Sequence, residues 1–96
     1  MLIVGRNLLT EFIAKHPDAK SSIEVWVSLT EKATWKLPQD ITNTITKASI
    51  LKGKIAIFDI KGNDYRLEAE VAYGGGVIKI VWVGKHKDYD VRNKTR

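Results

Sequence analysis

The stretch from Phe58 to Asp90, FDIKGNDYRLEAEVAYGGGVIKIVWVGKHKDYD, decides the fold because it reads as two antiparallel hairpins in succession. Gly62-Asn63 stands between two β-rich runs, and a two-residue turn needs positive φ angles that Gly and Asn adopt at little cost. Gly74-Gly75 marks a second turn in the same way. With two-residue loops, Phe58 faces Leu67, Asp59 faces Arg66, Val71 faces Ile78, Ala69 faces Ile80 and Leu67 faces Trp82. Side chains alternate across a strand, so Tyr65, Leu67, Ala69 and Val71 share an apolar face with Phe58, Ile78, Ile80 and Trp82. That face is expected to meet the core. The opposite face is mixed: Arg66, Glu68 and Glu70 on the middle strand, with Val77, Lys79, Val81 and Val83 beside them and Lys79 across from Glu70.

Working outward, Leu2 to Val4 reads as a first strand, and Leu8, Leu9, Phe12 and Ile13 recur at helical spacing before Pro17 stops the helix. A second helix is expected from about Asp18 to Ala33. Ser21 with Glu24 gives it a capping box, and Ile23, Trp26, Val27 and Thr30 give it an apolar stripe. Leu37-Pro38-Gln39-Asp40 is a turn into a short, Thr-rich helix ending near Lys47. Strands follow at about 54–60, 64–73 and 77–83, and the polar C-terminal segment permits a last helical turn. This order predicts an α+β fold, a single domain over residues 1–96, with an antiparallel sheet and the two N-terminal helices packed on one face. The other face is left open for a partner.

Composition sets limits on function. Ninety-six residues with a 44% hydrophobic fraction suit one modest core. No apolar run approaches the roughly 18 residues that a membrane span needs, and Met1 to Val4 lacks the pattern of a signal peptide, so a cytoplasmic location and no membrane partner are expected. With no cysteine, there is no disulfide framework or thiol nucleophile. Two distant histidines and scattered carboxylates make no recognisable metal site, and Gly74-Gly75-Gly76 joins two strands instead of leading into a phosphate-binding helix. No cofactor is expected. The net charge of +5 favours an anionic partner, and the excess is concentrated: residues 49–96 hold ten Lys or Arg against six acids, residues 1–48 six against five.

The runs Phe58 to Leu67 (FDIKGNDYRL) and Trp82 to Asp90 (WVGKHKDYD), together with Phe12 to Ala19 (FIAKHPDA), Trp26, Trp35 and Ala48-Ser49, resemble the HigB family of bacterial toxins in the RelE-like superfamily. Lys85 stands where family members usually have a small polar residue, and Asp59 where they often have Asn. The resemblance implies a small RelE-like fold. It also implies a metal-independent endoribonuclease that cuts mRNA in the ribosomal A site and inhibits translation. The implied partners are mRNA, the ribosome and a HigA-like helix-turn-helix antitoxin.

Metal-free RNA cleavage needs a group to take the 2′-OH proton, another to protonate the leaving oxygen, and positive charge where the phosphorane develops. His86 is the acid or base candidate, since an imidazole titrates near neutral pH; its alternative is a solvated loop histidine. Arg66 offers fixed donors to phosphate, or else an exposed cross-strand pair with Asp59. Tyr89, three residues after His86, is placed to stack on a base or touch phosphate, or to pack over the sheet edge. Lys54, Lys79, Lys85, Lys87 and Arg92 are the RNA-binding candidates, with Lys94 and Arg96 extending the basic surround; individually, solubility and nonspecific phosphate attraction explain most of them. Lys79 has an ion pair with Glu70 as its simpler reading. His16 at a helix end points to a structural role, as do the three tryptophans. A non-catalytic RNA- or ribosome-binding module of the same fold is the competing function, favoured by Glu68 and Glu70 on the open face.

Overall fold

A computed structural model describes residues 1–52 and 54–94. Strand β1 (Leu2–Val4) leads into α1 (Arg6–Lys15), a 3-10 turn (Pro17–Ala19), α2 (Lys20–Lys32) and α3 (Pro38–Thr44). Four strands follow, β2 (Ala48–Leu51), β3 (Ile55–Ile60), β4 (Tyr65–Ala72) and β5 (Val77–Lys85), and then α4 (His86–Lys94). The sheet order is β1-β5-β4-β3-β2. The fold is α+β, as anticipated, with a sheet that is mixed instead of antiparallel throughout, because β1 runs parallel to β5 with Ile3 opposite Ile78. Parallel pairing requires a long crossover, which the intervening chain supplies. At the β1–α1 corner Gly5 has φ of 92°, and a Cβ there would lie 2.7 Å from the Ile80 carbonyl oxygen. Only glycine permits both that backbone and that approach.

The first hairpin has the anticipated register, Phe58 opposite Leu67 and Asp59 opposite Arg66. Its positive φ angles fall on Lys61 and Gly62 and not on Gly62 and Asn63. In the second hairpin the positive φ is at Gly76, past the expected Gly74-Gly75. Val71 pairs with Ile78 and Ala69 with Ile80 as expected, but a bulge then shifts the register by one. Val81 is the extra residue, so Leu67 faces Val83 and Glu68 faces Trp82. Trp82 therefore leaves the core face on which alternation placed it, and Val83 packs against the core.

Helices α1 and α2 cover the core face. Leu9 and Phe12 of α1 and Ile23, Trp26 and Thr30 of α2 are buried, over Phe58, Leu67, Ala69, Ile78 and Ile80. The Trp26 ring meets Phe58 edge-on at 5.3 Å, and Trp35 stacks on Phe58 at 6.3 Å. Trp35 Nε1 donates to Thr44 Oγ1 at 3.1 Å, which ties α3 to the core and gives the buried indole its partner.

Three other expectations change. The Ser21–Glu24 capping box does not form, since α2 follows Ala19 with no side-chain cap; Asp18 turns instead to Tyr65 and Lys61. The third helix ends at Thr44, and its start is held by Asp40 Oδ2, which accepts the backbone N–H groups of Lys36 and Leu37 at 2.9 and 3.0 Å. These bonds hold the Asp40 carboxyl below the usual carboxylate range. Strand β2, four residues of mixed polarity, carries too short an alternation to be recognised from sequence. The single terminal turn is the nine-residue α4, which lies on the face opposite α1 and α2 and touches β4 and β5.

Candidate active site

Arg66 is the centre of the site. It projects from β4 opposite Asp59 of β3 and Gly84 of β5, so its position follows from the register of both hairpins. Its Nε lies 2.6 Å from Asp59 Oδ1, an ion pair lacking the alignment of a hydrogen bond. Its Nη2 lies 2.7 Å from His86 Nε2. A guanidinium donates and never accepts, so Nε2 carries the lone pair in this contact. The ring proton is then on Nδ1, 3.2 Å from Asp90 Oδ2 four residues further along α4. The imidazole is thus oriented from both sides, with its basic nitrogen turned towards the arginine.

The backbone fixes His86 as firmly as its side chain does. Its N–H donates to the Asp64 carbonyl at 3.1 Å, joining the start of α4 to the β3–β4 turn. That turn is tied to the 3-10 turn: Tyr65 Oη donates to Asp18 Oδ2 at 2.7 Å, and Lys61 Nζ donates to the same oxygen at 2.8 Å. Asp18 is held below the usual carboxylate range, first by Lys61 and then by Tyr65, and both partners are pushed up, chiefly by Asp18. His16 adds to this corner through its ring, 4.6 Å from Phe12 and 5.3 Å from Tyr65.

Tyr89 is buried beneath the site. The Arg66 guanidinium carbon is 5.3 Å from its ring centroid and the Trp82 ring is 6.0 Å away, so Tyr89 packs as a floor under Arg66. Lys85 and Lys87 are exposed on either side of His86, which makes them the lysines that share its surroundings. Arg92 reaches Glu68, with Nε to Oε1 at 3.1 Å and Nη2 to Oε2 at 3.3 Å. Lys79 is exposed opposite Glu70, and the Lys54 carbonyl accepts the Val71 N–H. Both lie towards the other end of β4 from Arg66, level with Glu70 and Val71, roughly 13–17 Å of strand away. Arg96 lies outside the described residues.

Arg66, Asp59 and His86, all singled out in the sequence, are thus brought together, while three features of this face were not anticipated: Asp90 as an orienting group, Trp82 on this side of the sheet, and the Glu68–Arg92 pair. The i,i+4 spacing of His86 and Asp90 was a usable signal for the first. Trp82 depends on the bulge at Val81, and the Glu68–Arg92 pair on a helix α4 that runs well beyond the single turn expected. Among the described residues, no three His, Cys, Asp or Glu side chains converge as metal ligands, and no helix is long and apolar enough to cross a membrane.

The arrangement can bind an anion at Arg66 and offer a basic nitrogen beside it. Against known proteins, the chain matches the family model described as HigB toxin, RelE-like toxic component of a toxin-antitoxin system, over residues 19–92. None of the curated proteins matches it.

Proposed function

The chain belongs to the HigB toxin family of RelE-like toxic components of toxin-antitoxin systems, and from that premise we propose that it is a metal-independent endoribonuclease that cuts mRNA on the ribosome and so halts translation. Its antitoxin partner is then a HigA-like helix-turn-helix protein. The observation that carries the reading is the 2.7 Å contact between Arg66 Nη2 and His86 Nε2 on a partly exposed face. One permanent cation and one basic nitrogen within hydrogen-bond reach are the pair that attack of a 2′-hydroxyl on its own phosphate requires.

In this reaction the scissile phosphate takes the place of His86 as a partner of Arg66 Nη2, and Asp59 keeps the guanidinium in register. His86 Nε2, released from the arginine, accepts the 2′-OH proton while Asp90 supports the positive charge that develops on the ring. The 2′ oxygen bonds to phosphorus as the bond to the 5′ oxygen breaks, the departing 5′ oxygen takes a proton from solvent, and the His86 imidazolium gives its own back to solvent. Arg66 stabilises the charge on the non-bridging oxygens throughout, since its guanidinium stays protonated. Lys85 and Lys87 draw in the RNA backbone, and Tyr89 keeps Arg66 from swinging away.

His86→Ala is expected to lower the cleavage rate by about 100-fold to 10,000-fold with the thermal melt unchanged, measured on a defined mRNA carried by programmed ribosomes. Cleavage by the variant at the wild-type rate would remove His86 from the chemistry. In cells, induced expression of the wild type should arrest growth, and co-expression of the antitoxin should restore it.

A further inference from the structure

Helix α4 is the element of the site least able to hold itself in place. The sequence HKDYDVRNK is polar nearly all round and buries only Tyr89. A helix of this length is marginal in water, and without an apolar stripe it gains little from packing. Its first residue is nevertheless His86, whose Nε2 must be kept at Arg66. Two residues beyond Arg66 on the same face of β4 stands Glu68, which is 4% exposed and meets the Arg92 guanidinium through both carboxylate oxygens. This two-pronged geometry fixes orientation as well as distance.

The surroundings of Arg92 favour a structural partner over a phosphate. Its guanidinium carbon lies 5.6 Å over the Trp82 ring, which in turn packs on Tyr89. An RNA phosphate would have to displace a buried carboxylate from its partner, and that carboxylate would then be left buried without its counter-charge. Both ends of α4 are thus fastened to one strand, His86 to Arg66 and Arg92 to Glu68.

We propose that Glu68 and Arg92 are positioning residues that dock α4 on β4 and thereby set the His86–Arg66 geometry for cleavage. The inference rests on the ribonuclease reading for its catalytic consequence, while the docking itself is observable without activity. The test compares wild-type protein with Arg92→Ala and Arg92→Lys by amide hydrogen exchange, single-turnover cleavage and RNA affinity at several salt concentrations. Arg92→Ala should speed exchange of the α4 amides about tenfold or more while the β3 and β4 amides stay protected. Cleavage should fall by about tenfold to a hundredfold through misplacement of His86, with RNA affinity and its salt slope unchanged, and Arg92→Lys should recover part of the loss.

Unchanged exchange in α4 would overturn the proposal. So would weaker RNA binding with a salt slope smaller by about one, the mark of a lost phosphate contact. If Arg92→Ala loses its cooperative melt, the double variant E68Q/R92Q, which leaves no buried charge unmatched, is read by the same exchange criterion. A wild-type protein that cuts no RNA would refute the ribonuclease reading, and the exchange data would still decide the docking role.

Discussion

Arg66 draws its geometry from four neighbours of different kinds: Asp59 as counter-ion, His86 as acceptor, Tyr89 as floor and Gly84 as its cross-strand partner. Gly84 matters through what its missing side chain leaves open. A Cβ there would fall 2.5 Å from Trp82 Cζ2 and 2.8 Å from Cη2, so the indole lies where any other residue would put a methyl group. Trp82 is itself packed by Tyr89 and Arg92 and has little room to yield. Gly84→Ala is therefore expected to cost about 1–3 kcal/mol, as overpacking does, and to move the ring towards Tyr89. The check is a chemical denaturation curve together with the cleavage rate; a variant as stable and as active as wild type would show that the indole relocates freely.

Between elements, the joint that positions His86 lies where the 3-10 turn, the β3–β4 turn and the start of α4 meet. Asp18 is the acceptor that ties the first two together. Its lowered pKa means that its contribution is complete above the ordinary carboxylate range and is lost as pH falls through the lowered folded value. Lys61 and Tyr65 are raised, so their contributions are complete below their ordinary values and are lost as pH rises through the raised ones. Asp18→Asn should accordingly reduce the melting temperature near neutral pH and flatten its decline on acidification below about pH 4 relative to wild type. Parallel acid profiles for the two proteins would show that Asp18 carries no such linkage. Much at this scale was legible in the sequence. The Gly62 and Gly74-Gly75 signals gave the hairpins, alternation gave Asp59 opposite Arg66, and helical spacing gave α1 and α2. Illegible were the bulge at Val81, which lies in the run Ile80-Val81-Trp82-Val83 where four apolar residues in a row give alternation no register to follow, and the edge strand β2, whose four residues carry too short a pattern. The one-residue slip after the bulge moved Trp82 from one face to the other, and with it went the neighbours of Tyr89 and Arg92. Asp18, which sequence spacing assigned to the start of a helix, serves a contact with residues more than forty positions away, beyond the reach of any local rule.

Taken as a whole, the molecule separates its two tasks by face. The sheet buries one side under α1 and α2, where Phe58, Leu67, Ile78 and Trp26 make the core, and gives the other to Arg66, Glu68, Trp82 and the short polar helix that delivers His86. Lys85 and Lys87 stand exposed on either side of His86, so the sheet holds the candidate site while positive charge flanks it. That this face cuts mRNA is the proposal on which the roles of His86 and Arg66 rest. The most direct measurement is to incubate the purified protein with one defined mRNA, naked and on programmed ribosomes, and to map the new 5′ ends alongside His86→Ala. Cuts should be confined to the codon in the ribosomal A site and be strongly diminished in the variant. Binding without cleavage in either setting would contradict the proposal and leave the same face as a grip for RNA or ribosome.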